Sequence, residues 1–141
     1  MLFRSSILKI PTPVKITKRT GGLISGFVER GYLVDYIGTI SGGHSIAFDA
    51  KETKGKSLPL KNIHEHQMQM MEDWHNFGAT TFLIVYFKDL DEYFRLPFEV
   101  LTECWWEAEE GGSKSIPIDT FRNHGVLINK NNGLLDYLGV L

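Results

Sequence analysis

The chain has 141 residues, of which 43% are hydrophobic, and this is enough for one domain with a sizeable core. Its longest apolar run, at 82–87, is far shorter than the roughly 20 residues of a membrane-spanning helix, and its first residues lack the pattern of a secretory signal. A single cysteine, Cys104, excludes an internal disulfide. We therefore expect a cytoplasmic protein that does not associate with membranes.

The net charge of −2 is unevenly distributed along the chain. Residues 1–61 hold ten Lys and Arg against four acidic residues, whereas residues 62–141 hold five against thirteen. Such a basic first half is typical of a surface that faces a polyanion, although lysines that only solvate a surface would explain it equally well.

The predicted elements begin with a strand at 7–17, whose prolines suit a sheet edge or an irregular entry. The Gly-rich and initially basic segment 18–31 follows neither the helical nor the strand period, and it predicts a projecting hairpin or loop. Two further strands are predicted at 32–38 and 44–52, on either side of a Gly-Gly turn.

The second half of the chain predicts a helix over 62–77, because Asn62 and Glu65 form a capping box and Gly78 occupies the C-terminal stop position. Its predicted apolar stripe consists of Ile63, Met70, Met71, Trp74 and Phe77. Strands at 80–87 and 92–96 and a helix at about 97–110 follow, and a Gly- and Asn-rich tail ends the chain. The pattern predicts a single α/β domain over residues 1–141.

Two acidic residues and a lysine stand out at the ends of neighbouring predicted strands. Asp49 and Lys51 point to the same face of a strand, because side chains alternate along it. If residues 41–43 form a three-residue loop, Asp35 lies directly opposite Asp49, with Cβ atoms about 4.5–5.5 Å apart. A two-residue Gly-Gly turn would instead pair Asp35 with Ala50 and place the two carboxylates on opposite faces.

Two carboxylates this close are expected to share a proton or to bind a cation, and oxygen ligands favour Mg²⁺. We predict that Asp35, Asp49 and Ala50, the residue between Asp49 and Lys51, bind the metal. Lys51 is predicted to position the attacking water or assist its deprotonation, and to neutralise charge that develops on a phosphate. This spacing is the pattern of the PD-(D/E)xK nucleases, although residues 52–54 also match its acid-x-lysine part.

Gln67 occupies a position on the predicted helix stripe where an apolar residue is expected. From the residues alone, we favour a glutamine that is satisfied by backbone groups at the helix edge. In the alternative interpretation, Gln67 reaches the phosphate or the attacking water and is a catalytic residue. His64 and His66 lack the i, i+4 spacing of a helical zinc pair, and we interpret them as surface or phosphate-adjacent residues.

Several segments run in the order and spacing of one family. They are PTPVKI at 11–16, DYIG at 35–38, FDAKET at 48–53, PLKNIHEHQ at 59–67, KSIP at 114–117 and LDYL at 135–138. The chain resembles the RecU family, the Holliday-junction resolvases of Gram-positive bacteria and their phages. The resemblance implies a restriction-endonuclease-like fold, with a central mixed sheet flanked by helices and a stalk that projects between the first two strands.

The same resemblance implies a homodimer that nicks opposed strands of a four-way DNA junction with Mg²⁺ or Mn²⁺, and a recombinase of the RecA type as a further partner. Asp35 and Asp49 then become metal ligands and Lys51 the catalytic lysine, although the family usually has Glu at the position of Asp49. Lys18, Arg19 and Arg30 are expected to contact phosphates from the stalk at 18–31. We further predict DNA contacts by Lys54 and His66.

Family members generally begin with a further segment that includes a helix bearing a metal-site glutamate. The resemblance therefore implies a shortened or phage-like member whose activity, but not fold, is in question. Glu29, Glu52 and Glu65 are the nearest candidates to replace that glutamate, and none fits convincingly. Two alternatives stay open, namely a junction-binding or recombinase-modulating protein that does not cleave, and a nuclease of the same superfamily that cuts ordinary duplex DNA.

Overall fold

The computed structural model describes residues 5–11, 14–28, 34–131 and 134–135. The strands are β1 Ser5–Lys9, β2 Val14–Thr20, β3 Leu23–Val28, β4 Tyr36–Ile40, β5 His44–Thr53, β6 Ser57–Pro59, β7 Thr80–Phe87, β8 Glu92–Pro97, β9 Ser115–Pro117, β10 Val126–Leu127, β11 Lys130–Asn131 and β12 Leu134–Leu135. The α-helices are α1 Glu65–Asn76, α2 Phe98–Glu109 and α3 Ile118–His124, and short 3₁₀ turns occupy Leu60–Asn62 and Lys88–Leu90.

A six-stranded mixed sheet in the order β1-β4-β5-β7-β8-β10 forms the centre of the fold. Only β5 and β7 pair in parallel, and α1 lies in the connection between them, as a parallel crossover requires. The other neighbouring strands of this sheet are antiparallel. The predicted central mixed sheet with flanking helices is therefore confirmed.

The two faces of the sheet have different apolar cores, because side chains alternate along each strand. On one face, side chains of β5, β7 and β8 pack against all three helices, and this core contains Ala47, Leu83, Val85, Phe94, Met71, Leu101 and Phe121. The buried residues of the other face are Ile46, Phe48, Phe82, Ile84 and Ile128. Asp49 and Lys51 follow Ala47 on the helix-covered face.

The segment between β1 and β4 contains a two-stranded hairpin formed by β2 and β3. A two-residue turn joins the strands at Gly21-Gly22, where Gly21 has φ of 60°, and the register shifts by one residue between Ile16 and Lys18. This confirms a hairpin in the segment predicted to project, although β2 already begins at Val14. The single strand predicted at 7–17 is wrong, because its two ends belong to different sheets.

Helix α1 begins later than predicted. Leu60–Asn62 forms a 3₁₀ turn, His64 is the N-cap, and the helix runs from Glu65 to Asn76, so the capping box of Asn62 with Glu65 is wrong. Gly78 has φ of 97°, as the predicted stop position requires. Phe77 does not join the core, since it is 92% exposed beyond the last helical turn.

The remaining predictions for the second half agree with the structure except in the tail. The predicted strands at 80–87 and 92–96 correspond to β7 and β8, and the predicted second helix corresponds to α2. Helix α3 was not predicted, because seven residues are too few to display a clear helical period. Its Ile118 and Phe121 are nevertheless buried against the sheet.

Candidate active site

The turn between β4 and β5 sets the register on which the site depends. Ile40 pairs with His44 across residues 41–43, and the Gly43 amide donates to the Ile40 carbonyl at 3.0 Å. Gly42 and Gly43 have φ of 91° and 77°, a conformation that favours glycine. The three-residue loop is thus confirmed, and the last pair of the ladder, Tyr36 with Phe48, leaves residues 35 and 49 as the next to face each other.

The two carboxylates are held together by reciprocal backbone hydrogen bonds. The Asp35 amide donates to Asp49 Oδ1 at 3.0 Å, and the Ala50 amide donates to Asp35 Oδ2 at 3.4 Å. Asp35 lies in a bend just before β4 rather than within the predicted strand at 32–38. Each carboxylate therefore accepts a hydrogen bond from the backbone beside the other acid, which fixes their separation on one face of the sheet.

Asp49 is a fully buried acid whose carboxylate pairs with a lysine. Its exposure is 0%, and Lys51 Nζ lies 2.9 Å from its Oδ2, the distance of an ion pair that includes a hydrogen bond. Burial raises the pKa of Asp49 from 3.8 to about 6; a side-chain hydrogen bond with the Asp35 carboxyl group also raises it, and the Lys51 ammonium group opposes the shift. The position is hence costly for an anion unless another positive group lies nearby.

Gln67 is the link between this strand pair and helix α1. Its Oε1 accepts hydrogen bonds from Lys51 Nζ at 3.1 Å and from the His64 backbone amide at 3.2 Å. The side chain is only 6% exposed. A polar group is tolerated on this buried helix face because the two hydrogen bonds satisfy its oxygen. The Gln67 side chain therefore meets a backbone donor, as the favoured interpretation expects, and it also contacts Lys51; its catalytic role stays a prediction.

The acidic residues considered as replacements for a further metal ligand are not brought to these carboxylates. Glu52 points to the opposite face of β5 and pairs with Lys88 at 2.7 Å. Glu65 is exposed in the first turn of α1, and Glu29 lies outside the described residues. In the part of the chain that the structure describes, no group of three or more His, Cys, Asp or Glu is placed to hold a metal ion.

The predicted DNA-contacting residues lie on several different elements of the fold. Lys18 and Arg19 are exposed on β2 of the hairpin, and Lys54 is exposed just after β5, whereas Arg30 lies outside the described residues. His66 is partly buried at the start of α1, where its ring stacks on that of His64 with centroids 5.3 Å apart.

Two residues beside the predicted set were missed from the sequence. Lys15 is exposed on β2, on the same hairpin as Lys18 and Arg19, and it was overlooked because the hairpin was predicted to begin at 18. His64 donates its amide to Gln67 as the N-cap of α1, and it was overlooked because Asn62 is the more typical cap residue. An earlier hairpin start would have been signalled by the proline at position 13.

Comparisons with known proteins agree with this architecture. The family model for recombination protein U matches residues 3–141. A protein of Oenococcus oeni named Holliday junction resolvase RecU is 36% identical over 96% of this chain and 72% of its own length. Proteins of the same name from Streptococcus gordonii and Staphylococcus aureus are each 37% identical, over 89% and 94% of this chain and 64% and 67% of their own lengths.

The chain thus spans about two thirds of the length of these curated relatives. Among solved structures, that of Archaeoglobus fulgidus Hjc, a Holliday junction resolvase, covers 87% of this chain with a TM-score of 0.52 and 13% identity, and 82% of its own chain is matched. This likeness confirms the predicted restriction-endonuclease-like fold. No helix among the described residues has the length and apolar character needed to span a membrane. With its family model matched from residue 3 to the last residue, the chain belongs to the recombination protein U family.

Proposed function

We propose that this protein is a structure-specific endonuclease that cleaves Holliday junctions by metal-dependent hydrolysis of phosphodiester bonds. The observation that carries the proposal is the placement of Asp35 and Asp49 on one sheet face, with Lys51 Nζ 2.9 Å from Asp49 Oδ2 and 3.1 Å from Gln67 Oε1. A pair of carboxylates beside an ordered ammonium group is suited to hold a divalent cation, which would in turn bind a phosphate and the water that attacks it.

The residues present fit a hard divalent cation. The two neighbouring carboxylates, one of them fully buried, present oxygen atoms, the donors that Mg²⁺ prefers, and the Lys51 ammonium group balances one of their two charges. Asp35 and Asp49 would hold the ion, together with the carbonyl oxygen of Ala50, the only group through which an alanine can coordinate. When bound, such an ion lowers the pKa of a coordinated water and neutralises charge on the phosphate. We favour Mg²⁺, with Mn²⁺ as a substitute.

Lys51 and Gln67 have separate roles in this proposal. The Lys51 ammonium group stabilises negative charge that develops on the phosphate in the transition state, where a preorganised cation is most effective. Gln67 is a positioning residue, because its Oε1 holds Lys51 Nζ while the His64 amide holds the same oxygen. Through these two hydrogen bonds, the start of α1 keeps the lysine in place before the DNA arrives.

The hairpin of β2 and β3 is the proposed main DNA-binding element. Its described residues, 14–28, contain Lys15, Lys18 and Arg19 and no acidic residue, so the element carries a charge of +3. Lys54 and His66 are proposed as additional phosphate contacts nearer the carboxylates. Helix α2, in contrast, carries five acidic residues when its C-cap Glu110 is included and no basic one, so phosphates are repelled from that side.

Assembly and cellular setting are proposed from the family alone. A four-way junction has two opposed strands to cut, and a homodimer with two-fold symmetry would present one site to each. We extend the proposal to a cytoplasmic protein that cooperates with a recombinase of the RecA type. The alternatives are a protein that binds junctions without cutting them and a nuclease that cuts ordinary duplex DNA.

The test uses a labelled mobile four-way junction and a linear duplex of the same sequence, each with Mg²⁺, Mn²⁺ or EDTA. Asp49→Asn removes the buried charge, and Asp119→Asn is the matched control, since it makes the same change at an 80% exposed carboxylate of α3. We expect paired nicks in opposed junction strands with the wild type and the control, and none with Asp49→Asn or in EDTA.

Three results would change the conclusion. Equal cutting by Asp49→Asn would refute the assignment of the site. Tight junction binding without nicks in either metal would support the binding-only alternative, and equally fast cutting of the linear duplex would support the duplex nuclease. A direct test of metal binding is the thermal midpoint, which Mg²⁺ or Mn²⁺ should raise for the wild type and Asp119→Asn but not for Asp49→Asn.

A further inference from the structure

A cavity of about 450 Å³ opens on the face of β5 opposite the two carboxylates. Its lining includes Tyr36, Phe48, Ala50, Glu52, Tyr86 and Tyr93. Ala50 and Lys51 both border it, although Lys51 also pairs with Asp49 on the other face. The volume is in the range that holds a small ligand, and four of the eight lining residues are aromatic.

The strand that separates this cavity from the carboxylates has a free edge among the described residues. The ladder between β4 and β5 ends at Tyr36 and Phe48, whereas β5 continues to Thr53 with β7 as its neighbour. From Ala50 onward, no strand among the described residues pairs with β5 on its β4 side, so this edge joins the carboxylate face to the cavity. Because successive side chains alternate, Asp49 and Lys51 point to one side of this edge and Ala50 and Glu52 to the other.

The aromatic lining is arranged as two stacked pairs. Tyr36 and Phe48 have ring centroids 4.8 Å apart with planes at 9°, and Tyr86 and Tyr93 have centroids 4.2 Å apart with planes at 17°. All three tyrosines are only partly buried. Partly exposed, nearly parallel rings beside a groove are the platforms on which proteins stack unpaired nucleobases.

The polar groups at the rim favour a base over a phosphate. Glu52 pairs with Lys88 at 2.7 Å, and the Tyr86 hydroxyl donates to Asp91 Oδ1 at 2.9 Å. The carboxylate oxygens of Glu52 and Asp91 accept hydrogen bonds from the exocyclic amino groups and ring N–H groups of a base, whereas an ionised phosphate has no hydrogen to donate to them. Salt-bridging to Lys88 keeps the rim from acquiring a large negative charge.

We propose that this cavity receives one unstacked nucleobase of the DNA strand whose phosphate lies at Asp49 and Lys51. A nucleotide that crosses the free edge of β5 places its phosphate on one side and its base on the other. Bases beside the branch point of a junction are the easiest to unstack, so the cavity would favour junctions over continuous duplex. This inference rests on the proposed function and adds a base-binding subsite to it.

The test is a double-mutant cycle between the protein and the DNA, measured as junction affinity in EDTA so that no cleavage occurs. Single abasic sites are placed in turn at each of the nucleotides on either side of the branch point, and each junction is titrated with the wild type and with Tyr86→Leu. We expect one position at which loss of the base and loss of the ring are coupled by about tenfold in affinity. Tyr86→Phe, which keeps the ring, should retain the coupling.

The control variant is Phe77→Leu, which removes an exposed ring from the surface beyond the end of α1 and should leave every affinity unchanged. Suppose that each abasic site lowers the affinity of the wild type and of Tyr86→Leu by the same factor, while both proteins still bind junctions more tightly than duplex. The base subsite is then refuted and the proposed function stands. If the wild type shows no preference for the junction, both fall. Should Tyr86→Leu have a lowered thermal midpoint, Tyr93→Leu replaces it in the same cycle.

Discussion

Replacing Asp49 by asparagine should stabilise the metal-free protein at neutral pH. The carboxyl group is fully buried, and burial is the largest reason that its pKa is raised from 3.8 to about 6. Because the folded chain binds this proton more tightly than the unfolded chain, the stability that the group contributes is present at low pH and is lost as the pH rises through about 4 to 6. Asparagine has nearly the same shape without this ionisation.

The magnitude follows from the two pKa values. Each tenfold change in proton affinity corresponds to about 1.4 kcal/mol, so a pKa of about 6 against 3.8 gives about 3 kcal/mol of lost stability once both states are ionised. Roughly half of this loss develops between pH 5 and pH 7.5. From pH 5 to pH 7.5, the free energy of unfolding of Asp49→Asn should therefore rise by about 1.5 kcal/mol relative to that of wild type, which means that the variant becomes the more stable of the two.

The assay is urea unfolding in EDTA at pH 5 and pH 7.5, with wild type, Asp49→Asn and Glu52→Gln. The control removes a charge from the same strand, but Glu52 is a 56% exposed side chain in a surface ion pair, which contributes little to stability. The free energy of unfolding of Glu52→Gln should differ from that of wild type by about 0.5 kcal/mol or less at both pH values. If the difference between Asp49→Asn and wild type were independent of pH, the buried carboxyl group would not carry the raised pKa, and the argument from desolvation would be wrong.

Three further variants test other parts of the molecule. Gln67→Ala should lower the junction-cleavage rate about 10- to 100-fold with little change in junction affinity. Gln69→Ala, on the exposed side of α1, should leave both the rate and the affinity unchanged. A Gln67→Ala protein that cleaves as fast as wild type would refute the positioning role. Changing Lys18 and Arg19 together to serine should weaken junction binding and reduce the slope of log affinity against log salt by about 2, and an unchanged slope would remove the hairpin from the interface. Gly38→Ala should lower the free energy of unfolding by about 1–3 kcal/mol in urea titrations, because the added Cβ would lie 2.2 Å from a β1 carbonyl oxygen. If this variant is as stable as wild type, β1 can move away from the added Cβ at little cost.

The register of the candidate site could be predicted because it depends on short-range geometry. The three-residue loop before His44 fixes which residue of β4 faces which residue of β5, and strand alternation then places Asp49 and Lys51 on one face. The same local reasoning located β7, β8, α2 and the Gly78 stop. It was less reliable at element ends, where Asn62 and Glu65 matched a capping pattern that the chain instead realises at His64.

What the sequence alone determined, then, is the set of elements that local periodicity and turn chemistry specify, together with the pairing of two acidic residues across one turn. Three features required the folded arrangement: the complete burial of Asp49, the contact of Gln67 from α1 with Lys51, and the cavity beside the part of β5 that no described strand pairs on its β4 side. These features depend on how α1 and the neighbouring strands pack against β5. Such packing is set by the combined burial of many side chains distant in sequence, and no short segment contains it.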